Sequence, residues 1–264
     1  MNEKIPIALT IAGSDSGGGA GIQADLKTFH SFGVYGTSVI TAITAQNTRG
    51  VTAVHAVPLE DVRAQLDAVA SDLRPAAFKT GMLATAELVG TVAAEIRRHH
   101  LRNFILDPVM VATSGDRLLV ADAVASVKTD LLPLATLVTP NLHEAAILAD
   151  MPVTTLVEMR VAAERIRRLG ASAVLVKGGH LEHEAIDLLL EDTGERLWRR
   201  HHIDTPHTHG TGCTLSAAIT ACLASGSSLA DSVDHAVRYV AKAIALAPGL
   251  GSGHGPINHF VTPD

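Results

Sequence analysis

The residues of this chain that are best suited to chemistry stand directly after short apolar runs that are typical of strands. They are a glycine-rich turn at 13–21, Met82, Asp107, Asn141 with Glu144, Lys177 followed by two glycines, and a second glycine-rich turn at 209–213. In open α/β sheets, ligands bind outside the carboxyl ends of the strands. We therefore expect a carboxylate, an amide, a lysine and two glycine-rich turns to meet at one edge of a sheet.

The second glycine-rich turn is the best candidate for binding an anion. Gly210 and Gly212 stand just before a helix-like segment, where successive backbone N–H groups can point at one phosphate. An ordinary glycine-rich helix N-cap is the alternative. Cys213 follows at the start of that helix, where the positive end of the dipole predicts a lowered thiol pKa. The alternative for Cys213 is a small buried thiol that only packs.

Two familiar nucleotide-binding motifs are incomplete in this sequence. The segment 19–24 fits the pattern G-x-G-x-x-A of dinucleotide-binding proteins, but no Asp or Glu occurs between Asp25 and Glu60, where a ribose-binding acid belongs. The dipeptide Gly-Lys, which a Walker P-loop requires, does not occur. The first turn is then either a tight turn that permits close helix packing or a backbone surface against a small ligand, with Asp25 nearby. The 14 histidines lack zinc-site spacing, so we expect no structural zinc.

The composition limits the classes of function. The 27 Asp and Glu residues outnumber the 21 Lys and Arg residues, and the formal net charge of −6 excludes nucleic-acid binding through bulk positive charge. Aromatic residues make up 3%, too few for a base-stacking platform. The apolar run at 5–12 is short and contains Pro6, so we expect no membrane segment. The 2 cysteines predict reduced thiols in a cytoplasmic protein, and we also expect a homodimer.

Strand-like and helix-like segments alternate along the whole chain of 264 residues. Apolar residues that share one face predict a helix at 59–73, and a capping box at Thr155 and Glu158 predicts another that reaches Leu169. Thr193-Gly194 between two short apolar runs predicts a hairpin. Such alternation predicts an α/β fold, with a mostly parallel sheet and helices on both faces, in one domain spanning 1–264.

Several segments spread over the chain resemble one family of enzymes. Among them are Lys-Thr-Gly-Met-Leu at 79–83, Leu-Asp-Pro-Val-Met at 106–110 and Val-Lys-Gly-Gly-His at 176–180. The other similar segments lie at 8–27, 44–48, 139–141, 208–214 and 253–256. In these segments the chain is similar to the hydroxymethylpyrimidine/phosphomethylpyrimidine kinases of thiamine biosynthesis.

The resemblance implies a ribokinase-like fold, which is a three-layer α/β/α sandwich around a central, mostly parallel sheet. It also implies two successive ATP-dependent phosphorylations, from the pyrimidine alcohol to its monophosphate and from the monophosphate to the diphosphate. Hydroxymethylpyrimidine would be the small-molecule substrate, and ATP and Mg²⁺ would be the cofactors.

The resemblance further assigns a substrate pocket. Gln46 would read the edge of the pyrimidine ring, and Gly13, Asp25, Met82 and Val109 would shape the space around it. Some members of the family have Glu at the position of Gln46, so the charge of this contact varies within the family.

A second group of residues would carry the phosphoryl transfer, which needs positioning and charge neutralisation more than covalent help. The backbone amides from Gly210 through Thr211 and Gly212 to Cys213 would hold the transferring group. Lys177 would balance the negative charge of that group.

The same set includes groups for the metal, the nucleotide and the proton. Asn141 would contact the ATP phosphates and, with Glu144 one helical turn away, would orient the waters of Mg²⁺, with Asp107 beside them. Cys213 would take the proton of the substrate hydroxyl. Most ribokinase-like sugar kinases have an Asp at this position, which leaves the identity of the base open.

Three other functions are compatible with these residues. A kinase of the same fold could phosphorylate pyridoxal or a related vitamin. Cys213 could instead be a covalent nucleophile with His209 as its base, in an acyl-transfer enzyme that needs no ATP. A protein that binds the pyrimidine without turnover is the third.

Overall fold

The computed structural model describes residues 5–110, 121–181 and 184–263, which fold around a nine-stranded sheet. The strands are β1 (Ile7–Asp15), β2 (Tyr35–Asn47), β3 (Gly50–Ala56), β4 (Ala77–Thr80), β5 (Phe104–Leu106), β6 (Leu137–Val138), β7 (Val174–Leu181), β8 (Glu184–Glu191) and β9 (Gly194–His201). Their order across the sheet is β3-β2-β1-β4-β5-β6-β7-β8-β9. The six strands from β2 to β7 in this order run parallel, and β3, β8 and β9 pair antiparallel at the two edges.

Helices cover both faces of the sheet. They are α1 (Gly21–Ser31), α2 (Leu59–Asp72), α3 (Ala86–Arg98), α4 (Ala121–Ser126), α5 (Leu142–Ala149), α6 (Leu156–Arg168), α7 (Thr211–Ala224) and α8 (Leu229–Ala245). Alternate strand residues face opposite helix layers, because successive side chains of a strand point to opposite faces. Leu175 packs with α7 and α8, whereas its neighbours Val174 and Val176 pack with α5 and α6. The predicted three-layer α/β/α sandwich is confirmed.

Local sequence signals set several element boundaries. The capping box of α6 is present, because Thr155 Oγ1 accepts from the Glu158 amide and the Glu158 carboxylate accepts from the Thr155 amide. The hairpin predicted at Thr193-Gly194 joins β8 to β9. Strand β1 continues beyond the apolar run that ends at Ala12, since a register shift before Ser14 lets it keep pairing with β2. This extension carries Asp15 to the mouth of the sheet.

A buried ion pair joins α1 to the two central strands β1 and β4. Lys79 Nζ lies 2.9 Å from Asp25 Oδ1, and the Thr10 hydroxyl donates to Asp25 Oδ2 at 2.6 Å. Both charged side chains are fully buried. Burial raises the pKa of Asp25, and the ammonium of Lys79 opposes that rise. Burial alone would lower the pKa of Lys79, but the Asp25 carboxylate, together with Cys213 and Asp107, holds that pKa above its ordinary value.

The position of Asp25 differs from the predicted one at the wall of a substrate pocket. Asp25 lies on the same face of α1 as Ile22, Thr28 and Phe29, all of which are buried against the sheet. The helical period therefore turns its carboxylate into the core. In this structure Asp25 holds Lys79 in place and has no surface to offer a substrate.

Removing Asp25 while keeping Lys79 leaves a buried ammonium without its partner. We expect Asp25→Ala to lower the free energy of unfolding by about 3–5 kcal/mol, the usual penalty for breaking a buried pair. The double variant Asp25→Leu/Lys79→Met should recover most of that loss, because no charge is then left in the core. Urea denaturation followed by circular dichroism measures each change.

Arg160→Ala is the matched control, since it breaks the exposed pair between Arg160 and Glu195. Water screens that pair, so the loss should be far smaller than for Asp25→Ala. Equal losses in the two single variants would contradict a stabilising role for the buried pair.

Candidate active site

The two glycine-rich turns, at 13–21 and 209–213, lie against each other at the carboxyl edge of the sheet. Gly210 begins α7 with a positive φ of 82°, and a Cβ built there would lie 1.8 Å from the Gly19 carbonyl oxygen. A Cβ on Gly19 would lie 2.5 Å from Cδ2 of the His209 ring. A side chain at Gly210 would clash with the Gly19 backbone, and one at Gly19 would clash with the His209 ring, so both positions require glycine.

The first turn of α7 directs backbone amides at the space beside the turns. Thr211 N–H donates to the Thr208 carbonyl at 3.2 Å, and Thr214 N–H donates to the Gly210 carbonyl at 2.9 Å. Within the described part of the chain, the amides of Gly212 and Cys213 have no acceptor. Unpaired amides at a helix N-terminus favour an anion, as the sequence predicted for this turn.

Lys177 and Asp107 meet beside those amides. Lys177 Nζ lies 3.3 Å from Asp107 Oδ1, and a Cβ on Gly212 would lie 3.3 Å from the same Nζ. The Ser216 hydroxyl donates to Asp107 Oδ2 at 3.1 Å. Burial alone would lower the pKa of Lys177, but the carboxylates of Asp107 and Glu144 outweigh it and raise that pKa. A charged ammonium, 16% exposed, is therefore held next to the helix N-terminus.

Asn141 and Glu144 lie next to this lysine and cap α5. Asn141 Oδ1 accepts from the Glu144 amide at 2.9 Å, and Glu144 Oε2 accepts from the Asn141 amide at 2.9 Å. Glu144 Oε1 accepts from the Met110 amide at 3.2 Å. Burial raises the pKa of Glu144, and Lys177 opposes that rise. Asn141 and Glu144, which the sequence predicted near a metal together with Asp107, thus also form the capping box of α5.

Cys213 is half-buried at the start of α7, and its predicted low pKa is wrong. Burial raises the pKa of this thiol to about 11, although Lys79 and a hydrogen bond from the Gly21 amide oppose the rise. Desolvation of the thiolate outweighs the helix dipole here. Cys213 also lacks the base that a covalent mechanism needs, since the described hydrogen bonds of the His209 ring go to Asp15 and Gln46.

Apart from Asp25, the residues predicted to bind the pyrimidine lie at or just after the carboxyl ends of β1, β2, β4 and β5. Gly13 faces Met82, whose Cε would lie 2.9 Å from a Cβ on Gly13. Gln46 is half-buried at the end of β2, 3.1 Å from the Thr44 hydroxyl and 3.4 Å from His209 Nε2. Val109 is half-buried two residues after Asp107. The chain thus brings Gln46 to the turn that precedes Cys213.

Asp15 connects both turns and is not among the site residues predicted from the sequence. Its Oδ1 accepts from the Gly17 amide at 2.8 Å, and its Oδ2 accepts from the amides of Gly19 at 3.0 Å and Ala20 at 2.8 Å. His209 Nε2 lies 2.9 Å from the same Oδ2. Burial alone would raise the pKa of Asp15, but His209 and the amides hold it below its ordinary value. The Asp-Ser-Gly order at 15–17 is typical of a turn closed by an aspartate side chain and could have indicated this role.

The last residues of the chain support the second turn from outside. His209 N–H donates to the Gly255 carbonyl at 3.1 Å, and Ile257 N–H donates to the His209 carbonyl at 3.4 Å. Thr214 Oγ1 lies 2.9 Å from His259 Nε2. Burial lowers the pKa of His259 to about 4, so its ring is neutral and adds no charge to the site.

Among the described helices, none has the length and apolar character needed to cross a membrane.

The chain is similar over nearly its whole length to known vitamin kinases, including the following three. A relative from Rhizobium meliloti, a hydroxymethylpyrimidine/phosphomethylpyrimidine kinase, is 57% identical over 259 residues, which cover 96% of this chain and 97% of the relative. A crystal structure of phosphomethylpyrimidine kinase from Clostridium difficile superposes with a TM-score of 0.82 at 41% identity and covers 91% of this chain and 100% of that one. An ADP complex of Bacillus subtilis pyridoxal kinase superposes with a TM-score of 0.91 at 39% identity and covers 97% and 98%.

The family model described as phosphomethylpyrimidine kinase matches residues 15–258, which include most of the first glycine-rich turn, all of the second, Gln46, Lys177 and Cys213. With that match and near-full-length relatives, this chain belongs to the phosphomethylpyrimidine kinase family.

Proposed function

We propose that the chain, as one domain spanning 1–264, phosphorylates 4-amino-5-hydroxymethyl-2-methylpyrimidine with ATP and then phosphorylates the monophosphate, in thiamine biosynthesis. The observation that carries this proposal is the convergence of Lys177, Gln46 and the first turn of α7, whose Gly212 and Cys213 amides have no acceptor within the described residues. The activity in the name of the Rhizobium meliloti relative supports the same substrate.

The transferring phosphoryl group would lie against the amides of Gly212 and Cys213. Gly210 and Gly212 are needed there because they let the backbone approach closely. Lys177 would neutralise the charge of the phosphate oxygens. The Thr211 hydroxyl donates to the Thr208 carbonyl at 2.7 Å, so Thr211 would act mainly by holding the turn in shape.

Mg²⁺ would be held through water by Asp107, Glu144 and the Asn141 side chain. The donor set is oxygen-rich, which suits this ion. Both carboxylates already accept hydrogen bonds from the protein, yet each oxygen has a second lone pair, and Mg²⁺ in nucleotide sites usually keeps several waters. When bound, the ion would supply positive charge to the phosphates of ATP.

Cys213 would take the proton of the substrate hydroxyl late in the transfer. Its thiol carries a proton at neutral pH, because burial raises its pKa to about 11. The thiolate form, which can accept the proton, becomes more populated as the pH rises. The loose transition state of phosphoryl transfer asks little of the base until the new bond has formed.

Incubation with MgATP and hydroxymethylpyrimidine tests the function directly. Phosphorus NMR should show the monophosphate first and the diphosphate later. Pyridoxal, the substrate of a kinase with the same fold, is assayed in parallel and should turn over more slowly. Folded enzyme that forms neither pyrimidine product, or prefers pyridoxal, would overturn the proposal.

Gln46→Ala should weaken substrate binding and leave the chemistry intact. The lost hydrogen bond to a neutral ring is worth about 0.5–1.5 kcal/mol, so KM should rise about 2- to 12-fold with kcat nearly unchanged. Steady-state kinetics at saturating ATP separates the two constants. A fall in kcat at constant KM would contradict a binding role.

Cys213→Ala should lower kcat by about 10²–10⁴-fold and keep ATP binding, because the backbone amides remain. In the wild type, kcat should climb with pH above neutrality, since the deprotonated fraction of a thiol with a pKa of about 11 grows through that range. Cys213→Asp should retain part of the activity and show a flatter profile between pH 7 and 9, because a carboxylate is already ionised there.

Two outcomes would contradict the base role. One is an Asp variant that folds, binds ATP and is as inactive as the Ala variant. The other is a phosphorylated or acylated thiol in the intact mass of the wild type, which would indicate covalent catalysis.

We further propose that the protein acts in the cytoplasm as a homodimer. Both cysteines are free thiols, which supports a reducing compartment. Ile43 on β2 and Val54 on β3 are 54% and 51% exposed, which supports burial of this sheet edge against a second copy. Light scattering coupled to gel filtration measures the mass.

A further inference from the structure

The side-chain amide of Gln46 lies between two polar groups that decide its orientation. The Thr44 hydroxyl lies 3.1 Å from Gln46 Oε1, and His209 Nε2 lies 3.4 Å from Gln46 Nε2. A half-turn of the amide exchanges its oxygen and nitrogen with no change of shape. The hydrogens on the two neighbours therefore fix which atom faces which.

Thr44 has its only hydroxyl hydrogen committed elsewhere. Its Oγ1 lies 2.8 Å from the Ser14 carbonyl oxygen, which can only accept, and this is the shorter of its two contacts. Toward Gln46 the hydroxyl is left with lone pairs. Thr44 is thus satisfied by the N–H of an amide and not by its oxygen.

His209 presents a hydrogen on the opposite side. Asp15 is an ionised carboxylate that accepts from three backbone amides, so its contact with His209 Nε2 at 2.9 Å needs a hydrogen on that nitrogen. The hydrogen is present in the Nε2–H form of the neutral ring and in the cationic ring. That hydrogen points mainly at Asp15, and a protonated Nε2 has no lone pair left. An N–H of Gln46 would therefore find no acceptor on this side, whereas the amide oxygen can share the hydrogen.

Both neighbours demand the same orientation, which is the reverse of the one with Oε1 toward Thr44. We infer that Thr44 and the Asp15–His209 pair are positioning residues that hold Gln46 with Nε2 toward Thr44 and Oε1 toward His209. Each amide atom then keeps one valence for a ligand, an N–H from Nε2 and a lone pair on Oε1.

This order of donor and acceptor determines which heterocycle fits. An aminopyrimidine edge carries an amine that donates beside a ring nitrogen that accepts, so it matches the held amide. An oxopyrimidine edge has the reverse order, so its ring N–H would face the N–H of Gln46 Nε2 and its carbonyl oxygen would face Gln46 Oε1. The inference rests on the proposed function in one respect, that Gln46 contacts the pyrimidine, and it names the residues that make that contact selective.

Thr44→Val removes the hydroxyl with little change of shape and releases the amide. We expect kcat/KM for the aminopyrimidine, divided by that for its 4-oxo analogue, to fall about 2- to 12-fold, mainly through KM for the aminopyrimidine. Thr44→Ser keeps the hydroxyl and should keep the wild-type ratio.

Thr37→Val is the matched control. The Thr37 hydroxyl donates to the Ala8 carbonyl at 2.9 Å, so the variant loses the same bond from β2 to β1 while leaving Gln46 untouched. Its substrate ratio should equal that of the wild type. If Thr44→Val and Thr37→Val both lower kcat/KM for the two substrates equally, the substrate ratio is unchanged. That result would show that Thr44 has only a structural role and would overturn the inference.

Nitrogen-15 NMR of the unliganded protein gives a readout that needs no activity. Long-range correlation reports whether His209 Nε2 carries a hydrogen, and its signal is identified by its absence in His209→Gln. Nε2–H is the expected result, and a bare Nε2 would overturn the inference even if Thr44→Val is too unstable to assay. An enzyme that shows Nε2–H but no turnover of the aminopyrimidine would instead refute the proposed function.

Discussion

The close contact between two glycine-rich turns, clasped by Asp15 and His209, is the constraint on which the site depends. The Gly19 carbonyl occupies the space that a side chain at Gly210 would need, so the two backbones touch. One carboxylate then accepts from three amides of the first turn and from the ring that begins the second. The proposed substrate side and the proposed phosphate side would thereby be fixed relative to each other before any ligand binds. Catalysis by positioning requires such preorganisation.

Two lysines, one buried and one half-buried, lie near this edge of a chain that is acidic as a whole. Lys177 and Lys79 are each held by a carboxylate, and these carboxylates keep both lysines charged despite burial. Desolvation has the opposite result for Cys213, where the charge of Lys79 does not outweigh the loss of water. The same low-polarity surroundings that strengthen the lysine pairs therefore keep the thiol protonated.

Segments far apart in the chain share the work of supporting the second turn. Gly255 and Ile257 bond the backbone of His209, and Gly253 lies so close to Thr48 that a Cβ there would be 2.1 Å from the Thr48 carbonyl oxygen. The end of β2, which carries Gln46, is thus connected to the turn before Cys213 through Thr48 and the end of the chain. A side chain added at the glycines within 251–255 would therefore displace both the end of β2 and the turn that contains His209.

Residue types and their spacing were enough to predict the helices, the strands and the edge of the sheet at which we expected the chemistry. Alternating apolar segments, the capping box at Thr155 and the hairpin at Gly194 depend on residues a few positions apart, so they can be read without knowing the fold. The convergence of Asp107, Lys177 and the turn at 209–213 follows as well, because parallel strands end at a common edge. The surroundings of the ionisable side chains became visible only in the folded structure. Asp25 faces the core, Cys213 is desolvated, and Asp15 pairs with a histidine 194 positions away. Burial and hydrogen-bond partners come from segments that meet only on folding, and they set the charge of Cys213 and the orientation of Gln46.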